Sequence, residues 1–263
     1  MKISKVLAIN SFPANGNAGL KMVMSVLGTR VLPVPTLLLS GIGNMPGHQR
    51  YAVPFADLLD STLTMARQNK YELIVYVGYL GSDGQAGIIA DALTRFADLV
   101  KFVLIDPVCG DNGKPYTSEA IIESWHHLLP VADLALPNLT EMALLSGIRH
   151  TIDLTKPEPY LNAFREKYPD LDYIVTGIVT GDTIVNRWQT AGSSTDFSHR
   201  YYPHYFSGTG DTFASLFIRY RFFDDLSVAN AIEEAGLTLE RLIASSIETG
   251  CNELAISLMT NDQ

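Results

Sequence analysis

Two glycines and an aspartate near the end of the chain, in Tyr205-Phe206-Ser207-Gly208-Thr209-Gly210-Asp211-Thr212-Phe213-Ala214-Ser215, have the types and spacing to act on a phosphate. An apolar-aromatic run enters a glycine turn and leaves as an amphipathic helix, read as Thr212 to Phe223. Glycines let the backbone approach a ligand. The first amides of a helix have no intrahelical partner and attract an anion. A carboxylate at that mouth can take a proton from an attacking hydroxyl while the amides hold the transferring group. It can equally cap the helix. Gly-x-Gly-Asp alone leaves both readings open.

Other polar residues stand where strands end. Val6-Leu7-Ala8-Ile9-Asn10 is a continuous apolar strand, followed by Ser11 and a loop holding Pro13, Gly16 and Gly19, then a helix over Leu20 to Leu27. Leu73 to Val77 is a second such strand, running into Gly78-Tyr79-Leu80-Gly81-Ser82. Phe102 to Ile105 runs into Asp106-Pro107-Val108-Cys109-Gly110-Asp111, which suits metal coordination or a plain turn. Val131 to Leu136 runs into Pro137-Asn138-Leu139-Thr140-Glu141, close to a capping box. Tyr173 to Gly177 contributes Thr176. Carboxyl ends of parallel strands share one edge, so Ser11, Tyr79, Asp106, Asp111, Asn138, Glu141, Thr176 and Asp211 can converge. Acidic groups without a basic cluster suit a divalent cation shared with phosphates.

The positioning elements alternate. Strands are expected also over Arg30–Ser40, bent or at an edge because of Pro33 and Pro35, and over 183–189 and 197–205. Helices are expected over 55–68, 88–99, 117–129 with Thr117 as N-cap, 138–146, 160–167 and 227–248. The residues of Gly41 to Arg50 read as a loop. This order implies a three-layer α/β fold with a mostly parallel sheet. His126 and His127 are expected on a solvated helix face, and the six histidines have no metal-like spacing.

The chain has 263 residues, 47% of them hydrophobic and 18% charged, with net charge −9. No basic tract favours nucleic acid or an anionic membrane. No apolar run is long enough to span a bilayer. The apolar hexamer ending at Asn10 is short for a signal peptide, and Cys109 and Cys251 lie far apart. A reduced, cytoplasmic protein is the expectation. Neither a Walker A loop nor a dinucleotide fingerprint is present, which disfavours a nicotinamide oxidoreductase.

Taken together, these motifs resemble the ribokinase-like superfamily and, within it, the pyridoxal (vitamin B6) kinases, over nearly the whole chain. The carriers are Gly208-Thr209-Gly210-Asp211, Asp106-Pro107-Val108 with Gly110-Asp111, Pro137-Asn138 with Glu141, Gly78-Tyr79-Leu80-Gly81-Ser82, and Ser11, Gly16 and Gly19. The resemblance implies one ribokinase-like kinase domain over residues 1–263 that transfers a phosphoryl group from ATP to the 5′-hydroxymethyl group of a B6 vitamer. Asp211 would be the base, and the amides of Gly208, Thr209 and Gly210 would hold the γ-phosphoryl. Asp106, Asp111 and Glu141 would bind Mg²⁺. Asp106, Asn138, Glu141, Thr176, Gly177 and Thr209 would face ATP, with Tyr116 near the nucleotide. Ser11 would meet the polar edge of the pyridine ring and Tyr79 its face. Gly43 stands in the segment that meets the ring in the family, but Gly41-Ile42-Gly43 replaces a polar stretch with a threonine, and Leu136 replaces a threonine before Pro-Asn. A monovalent cation, K⁺, and a homodimer are further expectations of the resemblance. The alternatives are a hydroxymethylpyrimidine kinase of thiamine synthesis, which usually carries cysteine where this chain has Asp211, and a non-catalytic nucleotide-binding protein on the same fold.

Overall fold

The computed structural model describes residues 4–43 and 45–256. In chain order the elements are β1 (Ser4–Pro13), α1 (Leu20–Leu27), β2 (Val31–Leu39), β3 (Arg50–Tyr51), α2 (Phe55–Gln68), β4 (Glu72–Val77), α3 (Gly84–Arg95), β5 (Val100–Ile105), β6 (Gly110–Asp111), β7 (Lys114–Pro115), α4 (Glu119–Ser124), β8 (Leu134–Ala135), α5 (Leu139–Leu145), α6 (Glu158–Lys167), β9 (Tyr173–Thr180), β10 (Thr183–Gln189), β11 (Ser194–Arg200), α7 (Thr209–Phe222) and α8 (Val228–Glu248). Nine strands form one sheet in the order β11-β10-β9-β8-β5-β4-β1-β2-β3. The six strands from β9 to β2 are mutually parallel, and β3, β10 and β11 join antiparallel.

Two apolar clusters sandwich the sheet. Leu7, Ile9, Val75 and Val77 face one, with α2 to α6. Val6, Ala8, Ile74 and Tyr76 face the other, with α1, α7 and α8. Alternation along each strand explains the division, and burial of both faces explains why β1 and β4 read as unbroken apolar runs. From β1 the chain crosses to β2 on one side, whereas β4, β5, β8 and β9 follow one another on the other side. The carboxyl ends of β1 and β4 therefore flank the point where strand order reverses, the place where open α/β sheets bind ligands.

Several expected boundaries move. β1 continues through Ser11 to Pro13 rather than stopping at Asn10, because its outer residues pair with Leu38 and Leu39 past a register shift. Opposite Ser11 that shift places an extra residue in β2, a bulge. Pro33 and Pro35 are tolerated because β3 covers only Leu38 and Leu39 on that side. α3 starts at Gly84, ahead of the expected Ile88. The Gln85 side chain accepts from the Gly81 amide at 2.7 Å and donates to the Thr36 carbonyl at 2.7 Å, which draws the first turn in. Ser118, not Thr117, caps α4, and Thr117 instead bonds the Cys109 carbonyl. The helix expected to reach Leu129 breaks into 3-10 turns after Ser124. The strand expected over 131–136 shortens to β8, and the aromatic strand ends at Arg200 rather than Tyr205. His126 is not simply solvated: its ring bonds the Tyr168 hydroxyl and lies 3.3 Å from Glu123.

Candidate active site

Helix α7 begins at Thr209, three residues before the expected start, with Gly208 as its N-cap. Gly208 has φ 80°, and a Cβ there would lie 2.5 Å from the Asn17 carbonyl, so only glycine fits. No side chain caps this N-terminus. The first amides, at Thr209 and Gly210, are thus left to a ligand. Asp211 falls inside the first turn, and the cap reading of it is overturned: its carboxylate bonds across the fold instead. Oδ2 accepts from the Gly19 amide at 2.7 Å, and Oδ1 from Asn10 Nδ2 at 2.7 Å and Tyr76 Oη at 3.1 Å. Gly19 also requires its residue type, since its φ is 57° and a Cβ would meet the Ser11 carbonyl at 2.3 Å. Burial pushes the Asp211 carboxyl above its ordinary range, and those three donors pull it back.

Asn10 ties this carboxylate to the vitamer-facing residues of the resemblance. Its Oδ1 accepts from the Ser11 amide at 2.7 Å and the Tyr79 amide at 3.0 Å. Tyr79 is held further by the Thr36 hydroxyl on its carbonyl at 2.8 Å, and the Arg50 guanidinium lies 5.7 Å from its ring centroid. Gly43 is not brought into this group: it is exposed, and a Cβ on it would touch nothing within 4 Å. The buried side chain of its segment is that of Ile42, which packs against Gly16.

A second group lies around α5. Asn138 caps the helix in a complete capping box, accepting from the Glu141 amide at 3.0 Å while Glu141 Oε2 accepts from the Asn138 amide at 2.9 Å. Asn Nδ2 donates to the Gly110 carbonyl at 2.9 Å, and Glu141 Oε1 accepts from the Cys109 amide at 3.1 Å. The segment after Asp106 is thereby clamped to α5. Thr176 donates its amide to the Pro137 carbonyl at 3.1 Å, which sets β9 beside Asn138. Gly177, at φ 78°, follows and is exposed. Tyr116 is 53% exposed and hangs from the Cys109 carbonyl by its amide.

Tyr76 joins the two groups. Fully buried, its hydroxyl lies 3.2 Å from Asp106 Oδ2 and 3.1 Å from Asp211 Oδ1. Burial, then the charge of Asp211, pushes Asp106 up to about 8. Burial, then Asp106, raises Glu141 well above the carboxylate range. No ion pair among the described residues involves Asp106, Glu141 or Asp211. Buried carboxylates without a basic partner are the donor chemistry of a hard divalent cation, and the residues fit one. They do not converge as three ligands, however. Asp111 sits on the β6–β7 hairpin with its oxygens on the amide and side chain of Asn112. Among the described residues no three His, Cys, Asp or Glu could enclose a metal. Mg²⁺ typically keeps waters and takes one or two carboxylates plus phosphate oxygens, so no closed cage is needed.

Asn10 and Tyr76 were invisible as site residues in the sequence. The one signal was that each is the single polar group in its apolar strand run.

A mostly parallel sheet with a glycine-turned helix N-terminus and an aspartate in its first turn, at the reversal of strand order, is the architecture of a ribokinase-like small-molecule kinase. The chain belongs to the phosphomethylpyrimidine kinase family, whose model matches residues 43–256. It is 29% identical over 280 residues to the pyridoxine/pyridoxal/pyridoxamine kinase of Bordetella bronchiseptica, covering 96% of this chain and 93% of that one. The crystal structure of pyridoxal kinase from Lactobacillus plantarum superposes with a TM-score of 0.79 at 25% identity, over 96% of this chain and 92% of the other. That of Entamoeba histolytica pyridoxal kinase, at 23% identity, shares the fold with a TM-score of 0.85 over 97% and 93% of the two chains.

Proposed function

We propose that this chain is an ATP-dependent kinase of vitamin B6 salvage that phosphorylates the 5′-hydroxymethyl group of pyridoxal, pyridoxine or pyridoxamine. The observation that carries the reading is the Asp211 carboxylate, fixed by donors from three separate elements beside an uncapped helix N-terminus. The reading takes residues 1–263 as one kinase domain, active in the cytoplasm as a homodimer. It is favoured over hydroxymethylpyrimidine kinase by the aspartate at 211, by the Gly78–Ser82 segment and by the names of the curated relatives.

In this mechanism Asp211 takes the proton of the substrate hydroxyl. The freed oxygen attacks the γ-phosphorus, the O–P bond forms, and the bond to the β-phosphate oxygen breaks to release ADP. The amides at Gly208, Thr209 and Gly210 hold the equatorial oxygens while charge redistributes. Ser11 and Tyr79 hold the ring, fixed by Asn10 at a set distance from the base. Asn138, Thr176, Gly177 and Tyr116 line the approach of the nucleotide. Asp106 and Glu141, with Asp111 further out, would hold Mg²⁺ through direct and water-mediated contacts. Mg²⁺ held there would supply positive charge to offset that of the phosphates; a K⁺ ion belongs to the same proposal. Positioning and electrostatics supply most of the rate in such transfers.

The test incubates the protein with ATP, Mg²⁺ and equal amounts of pyridoxal, pyridoxine, pyridoxamine and hydroxymethylpyrimidine, and identifies products by mass. Phosphorylated B6 vitamers are expected. Phosphorylated pyrimidine alone, or no product, would overturn the proposal.

A further inference from the structure

A tyrosine hydroxyl inside a strand that otherwise reads Leu73-Ile74-Val75-Val77 has no packing reason to exist, since phenylalanine would fill the same space. Tyr76 is fully buried in the layer of α1, α7 and α8, and its hydroxyl stands between two carboxylates. That hydroxyl has one proton, so it donates to one carboxylate at a time, and Asp211 Oδ1 at 3.1 Å is the nearer of the two, against 3.2 Å for Asp106 Oδ2. A phenol keeps its proton at neutral pH, so the group is a donor.

The partners of Asp211 are unequal. Oδ1 accepts two hydrogen bonds, from Asn10 at 2.7 Å and Tyr76 at 3.1 Å. Oδ2 accepts one, from the Gly19 amide at 2.7 Å. A carboxylate oxygen offers two lone-pair sites, so Oδ1 is filled and Oδ2 keeps one open. Both donors to Oδ1 stand on neighbouring, hydrogen-bonded strands of the sheet, β1 and β4. Resting on the kinase reading above, we infer that Tyr76 is a positioning residue: together with Asn10 it anchors Oδ1 of Asp211, so that Oδ2 is the atom that takes the substrate's proton. The substrate O–H bond breaks, its proton goes to Oδ2, and its oxygen bonds to the γ-phosphorus as ADP departs.

A hydroxyl that only satisfies buried carboxylates and one that aims the base differ in kinetics. Losing an interaction made for the transition state lowers kcat and leaves KM in place. Tyr76→Phe is expected to lower kcat by about 10- to 100-fold, with KM for pyridoxal and for ATP within about twofold of the parent and the protein still cooperatively folded. In an Asp211→Asn background the same change is expected to cost less than about twofold, because the aimed group is already gone. A Tyr76→Phe enzyme with parental kcat overturns the inference. So does one with raised KM at unchanged kcat, one that fails to fold, or one whose loss is as large in the Asp211→Asn background. A parent protein inactive on every vitamer would instead sink the kinase reading, before any variant is compared.

Discussion

Asp211→Asn removes the proton acceptor and keeps the side chain's shape, but the three donors around it make the change less silent than an isostere suggests. The asparagine carbonyl can serve Asn10 and Tyr76, or it can serve Gly19. In either orientation its NH₂ group faces a donor now 2.7 Å away, at Gly19 or Asn10. A buried donor left without an acceptor costs about 1–3 kcal/mol. Against that, the substitution removes a buried charge whose carboxyl is already pushed upward. The two effects oppose, so the melting temperature is expected to move by no more than about 5 °C, at roughly 2–4 °C per kcal/mol for a chain of this size. The catalytic effect has no such offset. Loss of a general base costs about 10² to 10⁴ in rate, or roughly 3–5 kcal/mol of transition-state stabilisation. The assay follows ADP release with pyridoxal and Mg·ATP, beside a melting curve and calorimetric titration of both ligands. Turnover within about tenfold of the parent, in a folded variant that binds ATP and pyridoxal, would refute Asp211 as the base.

Three further outcomes follow from the same geometry. Gly208→Ala forces a Cβ to 2.5 Å from the Asn17 carbonyl at φ 80°, so it should lower the melting temperature and, by distorting the amides, cut kcat/KM for ATP more than for the vitamer; equal losses for both substrates would argue against an anion site there. Burial, then the charge of Asp211, pushes the Asp106 carboxyl up to about 8, so the ligand-free protein should be most stable at low pH with respect to this group, and lose that stability as pH rises towards and through about 8; Asp106→Asn should stabilise the ligand-free protein by about 1–4 kcal/mol and flatten that slope in melting curves between pH 5 and 9, and an unchanged slope would refute the assignment. Tyr79→Ala should raise KM for pyridoxal while leaving KM for ATP nearly unchanged; a matched fall in stability with neither constant moved would make the ring structural.

The elements whose signal was local were legible in the sequence. α1, α2 and β10 have the expected bounds because apolar spacing and pairing agree there. The site motifs were legible as residue types at strand ends. What sequence spacing could not carry was the set of long-range partners. Asp211 reads as a cap only while Gly19, Asn10 and Tyr76 are unknown, and these lie 192, 201 and 135 residues away. Polar residues within apolar strand runs are read as core by periodicity, which is why Asn10 and Tyr76 escaped. The early start of α3 depends on the side-chain bonds of Gln85, which periodicity does not register. Asp111 lay beside Asp106 in the chain, yet the β6–β7 turn directs it to Asn112.

The two prolines of β2 reach beyond the shape of that strand. From Val31 to Leu37 its outer side faces no partner strand among the described residues, and such a row of backbone groups is a template for another chain. Pro33 and Pro35 lie two apart, so both delete amide protons on the same side of the ribbon. A foreign strand laid there would find acceptors and a gap of two donors where its ladder should begin. The molecule therefore resists sheet-to-sheet fibre growth at this border through missing hydrogens rather than through a covering element. Replacing both prolines would restore two donors and create a sticky edge.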